Sequence, residues 1–153
     1  MVAAGSLRWI KAMRSSTRFR VSLHVSHPKL SADDITASFS LRPKYTKSVG
    51  APRISKLGED LGGVYLQTDV SFAVSEGVVN NDEVLLTEFV DQSMRDLPLE
   101  AIDHMVASGG TCFFFIGVYS AGNFLCDFRV NLLSRLADHG IGLKLDFYGG
   151  PEE

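Results

Sequence analysis

Cysteine is scarce: Cys112 and Cys126 are the only two in 153 residues. They lack CxxC spacing, which excludes a redox dithiol motif and a zinc knuckle. Both sit among apolar neighbours, where an unpaired cysteine behaves as a small buried hydrophobe. The four histidines, His24, His27, His104 and His139, form no HExxH pair and no zinc-finger spacing, so no metal-ligating residue is expected. GxSxG, GxGxxG and Walker-type loops are missing too, and Cys112 inside TCFFF is too buried to be an activated thiolate. The loop LGEDLGG holds acids where a phosphate cradle needs amides and lysine. The paired acids Asp33-Asp34 and Asp82-Glu83 fall at expected helix starts, where the dipole alone favours them. No catalytic residue, metal or cofactor is therefore expected. Long apolar runs are also missing: none approaches the ~18 residues of a membrane span.

What is present suits one globular domain. At 45% hydrophobic and 22% charged residues, the chain can bury a core without disulfides or metals. The net charge of −3 hides an asymmetry. Residues 1–56 carry 11 Lys and Arg against Asp33 and Asp34, a balance of +9, and residues 57–153 carry 4 against 16 acids, a balance of −12. The charges either mix on the folded surface or form a basic face for an anionic or acidic partner. Residues 1–17 are a basic extension without the continuous apolar core of a signal peptide, and residues 150–153 are a tail, leaving 18–149 as the domain. The cytoplasm is the expected location, with no membrane partner.

Two periodicities organise the domain. Arg18–Ser26 alternates Phe19, Val21, Leu23 and Val25 with Arg18, Arg20, Ser22 and His24, the period of a half-buried strand. Ser31 caps a short helix carrying Ile35 and Phe39, stopped by Arg42-Pro43. A weak strand over 45–49 and a Gly-rich loop over 50–63 come next. A strand over 64–72 follows, with Val64, Leu66, Val70 and Phe72 inward and Tyr65, Gln67 and Asp69 outward. Asn81 is the expected cap of a helix burying Leu85, Leu86, Phe89, Val90 and Leu97, and Pro98 starts a second helical run. A strand over 111–119 is apolar on both faces. Asp127 is a candidate cap for a Leu-rich helix stopped by Gly140, and a last strand over 141–148 directs Ile141, Leu143, Leu145 and Phe147 inward.

This order predicts an α+β fold: a ferredoxin-like split βαβ sheet extended to five strands, order 5-4-1-3-2, with the helices on one face. The 111–119 strand is then interior and the other sheet face is open. That open face carries either Phe113, Phe115 and Tyr119 or Cys112, Phe114, Ile116 and Val118. Burying one such side chain contributes roughly 1.5–3 kcal/mol, so an apolar patch there favours association. The candidate interaction surface adds Arg18, Arg20 and His24 from the first strand and Tyr65 and Gln67 from the third. Lys144 and Tyr148 come from the last. The extension, with Trp9 and Ile10, is one candidate cover; a second copy and another protein are the others.

Three stretches resemble an uncharacterised bacterial family, domain of unknown function 4279. They are Asp34-Ile35-Thr36 with Leu41-Arg42-Pro43, then Gly50, then the closing LLSRLADHGIGLKLDFY from Leu132 to Tyr148. The resemblance spans about residues 19–148 and implies a small α+β domain without implying an activity. The leading expectation is a small intracellular protein-binding or dimerising module, accessory or immunity-like, without catalysis. One alternative is a nucleic-acid-binding protein using the basic N-terminal third. The other is an enzyme with a site near loop 50–63.

Overall fold

A computed structural model describes residues 17–149. Trp9, Ile10, most of the basic extension and the 150–153 tail lie outside the described residues. Among the described residues the class is α+β, with four helices and a mixed six-stranded sheet. In chain order the elements are β1 (Arg18–His27), α1 (Ala32–Phe39), β2 (Pro43–Lys47), β3 (Pro52–Ile54), β4 (Asp60–Val64) and β5 (Thr68–Ala73). Then come β6 (Val79–Asn80), α2 (Leu86–Asp96), α3 (Leu99–Ala107), β7 (Thr111–Ser120), α4 (Val130–Asp138) and β8 (Ile141–Gly149).

The main sheet follows the path β2-β5-β1-β7-β8, with β6 pairing β1 beside that path. β1 is antiparallel to β5 and to β7, and β7 and β8 are parallel. The five-strand order 5-4-1-3-2 is therefore not the full description of the sheet. Six strands are present because the chain after β5 leaves β1 at Ser75 and returns to it at Val79. Ser75 holds that excursion: its hydroxyl oxygen accepts from Val21 N–H and donates to the Gly77 carbonyl. A two-residue strand is too short to show a period, so nothing in the sequence marked it.

The alternation along β1 works as its residues require. Phe19, Val21, Leu23 and Val25 join Val70 and Phe72 of β5, Cys112, Phe114, Ile116 and Val118 of β7, and Ile141 of β8. The helices complete this single core with Ile35 and Phe39, Leu86, Val90 and Met94, Ile102 and Met105, and Leu132 and Leu136. Ser31 caps α1 by accepting from Asp34 N–H, and Gly140 ends α4 at φ +66°. Buried His27 ties β1 to α3: its Nδ1 accepts from Lys29 and Leu30 N–H, and its Nε2 bonds Ser108 Oγ at 2.9 Å.

Five expectations need correction. Residues 50–63 are no simple loop, because β3 and β4 pair as a separate two-stranded sheet. Gly62 and Gly63, at φ +77° and +70°, let β4 turn there. Val64 and Leu66 precede β5 and are consequently 49% and 88% exposed. The helix after Asn81 starts at Leu86 and leaves Leu85 exposed, with Asn81 reaching Leu86 N–H from five residues upstream. The last helix is flanked by Arg129 in extended geometry, with no side-chain cap from Asp127. Phe147, expected inward, is 62% exposed near the free end of an edge strand.

Two stability contrasts test this packing. Phe114 is fully buried and Phe115 only partly so. Urea unfolding should show Phe114→Ala costing about 3–5 kcal/mol and Phe115→Ala clearly less. At Gly110 an added Cβ would sit 2.0 Å from Met105 Sδ, 2.8 Å from the Met105 carbonyl oxygen and 2.9 Å from the His27 ring. Gly110→Ala should therefore destabilise by about 1–3 kcal/mol. Gly122→Ala, where nothing lies within 4 Å, should leave the midpoint in place.

Candidate functional site on the open sheet face

Period two decides which aromatics β7 turns away from the helices. Cys112, Phe114, Ile116 and Val118 are in the core, so Phe113, Phe115, Gly117 and Tyr119 face the other way. Register then places their neighbours. His24 lies opposite Phe113, Ser22 opposite Phe115, Arg20 opposite Gly117 and Arg18 opposite Tyr119. On the other flank Phe115 faces Lys144, Gly117 faces Asp146 and Tyr119 faces Tyr148. Eight of the ten predicted surface residues thus share one continuous patch.

The patch is partly covered by its own side chains. The His24 ring stacks on Phe113 at 5.2 Å and tilts over Phe115 at 5.3 Å. Lys144 Nζ sits 4.0 Å from the Phe113 centroid, a cation–π contact from the β8 side. Tyr119 and Tyr148 stack at 4.9 Å. Gly117 makes room for that pair: a Cβ there would meet the Tyr119 hydroxyl at 3.5 Å and the Tyr148 ring at 3.6 Å. The open face is therefore amphipathic rather than greasy, which lowers the drive for plain hydrophobic association.

Tyr65 and Gln67 do not lie on a strand, yet they reach the same face at its far end. The Lys47 ammonium lies 5.1 Å from the Tyr65 centroid and 3.0 Å from the Asp69 carboxylate. Asp69 also accepts from Ser26 Oγ and from Gln67 Nε2. Burial alone would raise the Asp69 pKa, but the hydrogen bonds from Ser26 and Lys47 outweigh it and hold the carboxyl below its ordinary value. The bond to Asp69 raises Lys47 correspondingly. This contribution to stability is present at neutral pH. It disappears as pH falls through the depressed carboxyl value.

Two adjoining hollows, of about 360 and 390 Å³, share His24, Tyr45 and Ser71 and run as one trough across β2, β5, β1 and β7. Lys44 and Tyr45 form its β2 wall, an assignment the sequence reading missed. The available signal was Pro43: pairing with β5 shifts register between Pro43 and Tyr45, which turns both of the next side chains onto this face. A larger, more open groove of about 810 Å³ lies between α1 and α3, but its ionisable residues, Asp34, Glu100 and His104, are solvent exposed and no ion pair joins them.

Ser22 Oγ lies 3.0 Å from His24 Nε2, the spacing of a nucleophile and its base. It lacks the rest of such a site. No described hydrogen bond orients His24 Nδ1, and the neighbouring strand amides belong to a ladder paired on both sides, leaving no N–H pair for an oxyanion. Along β3 and β4 every residue is exposed, so the hairpin buries no acid or base. Burial pushes the Cys112 thiol up to about 12, an inert group. No cluster of three or more potential metal ligands occurs among the described residues, and no helix there is long and apolar enough to cross a membrane.

Comparison of the chain with family models, curated proteins and solved structures gave no match.

Burial, then Lys144, then Lys44 hold the His24 pKa below its ordinary value, with Asp69 opposing them. Its charged form is disfavoured in the fold, so stability linked to His24 is lost as pH falls below the ordinary histidine range. NMR titration should find His24 below 6.5, and Lys144→Met should move it upward. An unmoved value in that variant would place Lys144 elsewhere.

Proposed function

We propose that the protein is a small cytoplasmic binding module that engages another protein through the open sheet face and performs no chemistry there. The observation that carries this reading is the amphipathic trough. Aromatic rings, cations and hydroxyls line a concave surface that the helices leave uncovered, with Tyr148 46% and Tyr45 55% exposed. Such a mixture of rings and long cations is the composition of protein contact surfaces. The ferredoxin-like split βαβ reading belongs to the same proposal. It is supported by β1 lying between β5 and β7, antiparallel to both. So does the resemblance to domain of unknown function 4279, supported by the quoted motifs.

Arg20 keeps a nucleic-acid reading in second place, because no described carboxylate lies within ion-pair distance of it. An affinity pull-down of the full chain from its native lysate, with and without nuclease, separates the two. Wild type should retain a stoichiometric protein after nuclease, and Phe115→Glu should lose it. Retention that vanishes with nuclease would favour the second reading. Retention unaffected by Phe115→Glu would remove the open face from consideration.

A further inference from the structure

The charge asymmetry of the sequence becomes an asymmetry of faces. Arg20, Lys44, Lys47 and Lys144 all reach the open face, whose acids are Asp69 and Asp146. Both acids are already engaged. Asp69 holds Lys47, and Asp146 accepts from the Tyr148 hydroxyl. Arg20, Lys44 and Lys144 have no described carboxylate within ion-pair distance. The helical side has the opposite balance: Asp33, Asp34, Glu88, Asp96, Glu100 and Asp103 are exposed there.

We infer that the trough is a docking site for an acidic segment of a partner protein, with carboxylates on Arg20, Lys44 and Lys144 and one aromatic or aliphatic side chain against Phe115 and Tyr119. This deepens the binding-module reading and rests on it. Charge complementarity selects the occupant. Two copies meeting open face to open face would oppose these cations to each other, a like-charge contact. Single-stranded nucleic acid would satisfy the cations but also needs bare ring faces for successive bases to stack on. Here His24 and Lys144 flank Phe113, and Tyr119 and Tyr148 cover one another. An acidic segment needs only the ring edges, the hydroxyls and the cations. His24 fits this arrangement as a neutral ring beside Lys144 and Lys44, with Arg20, Lys47 and Asp69 on the same face. Incoming carboxylates would relieve the pressure on its charged form.

The test uses the full chain at low salt with three probes of similar length: a Glu–Tyr copolymer, oligo-dT and polylysine. Backbone and side-chain NMR shifts locate binding. The Glu–Tyr copolymer should shift Arg20, Lys44, Phe115 and Tyr119, raise the His24 titration point, and bind about ten-fold or more tightly than oligo-dT. Arg20→Glu/Lys44→Glu, two exposed sites whose exchange leaves the core alone, should weaken that binding by at least about ten-fold while thermal unfolding shows the fold retained. Equal or tighter oligo-dT binding, polylysine binding at the trough, copolymer shifts on the helices, or an unaffected double variant would each overturn the inference. Lysate capture separates this failure from failure of the broader reading. Capture lost in Phe115→Glu but kept in the double variant leaves the module standing and removes the acidic segment. Capture kept in both removes the open face itself.

Discussion

Thr111–Ser120 is hydrogen-bonded on both sides, and the rest of the architecture answers to that one constraint. A strand paired by β1 and β8 has no edge to expose, and its side chains divide strictly between two faces. Phe114 and Ile116 anchor the core under the helices with no exposure at all. Phe113, Phe115 and Tyr119 must then project to the other side, whatever covers it. The run of three phenylalanines is thus a core residue between two surface residues. The flanking strands supply what a half-exposed ring needs, a stacked imidazole from β1 and an ammonium from β8.

The same constraint shapes the electrostatics. β1 alternates apolar residues with Arg18, Arg20, Ser22 and His24, so its basic set lands on the face of Phe113 and Phe115. β2 and β8 add Lys44, Lys47 and Lys144, and among the helical acids Asp33, Asp34, Glu88 and Glu100 fall in first turns, where the dipole favours them, whereas Asp96 and Asp103 do not. Strand period accounts for the basic face, and the helix dipole for part of the acidic one.

The parts of this fold legible in the sequence are those where local period and tertiary burial agree. β1, the core half of β7, the capped α1 and the Gly140 stop are of that kind. Val64 and Leu66 show the opposite case: their alternation continues that of Val70 and Phe72, but glycines at 62 and 63 and the Tyr65 backbone, bonded to Gly50 and Ala51, divert the chain into an exposed hairpin. β6 was too short to carry a period. On the open face, strand period made Lys144 and Tyr148 legible and grouped Phe113, Phe115 and Tyr119 on one side of their strand, but an apolar set on either side left the outward one open. Lys44 and Tyr45 were not legible, because a register shift after Pro43 breaks that period. Gly117 looks like an interruption in an apolar strand until the two tyrosine rings are placed over it.

Among the described residues, the helices leave one face of the sheet open. Hydroxyl-radical footprinting of the full-length monomer, read residue by residue by mass, addresses it directly. Tyr45 and Tyr148 should be modified rapidly, Phe113, Phe115 and Tyr119 more slowly, and Phe114 not until unfolding. Protection of Tyr148 and Phe115 to the level of Phe114 in the monomer would contradict an open face, since the chain would then be covering it.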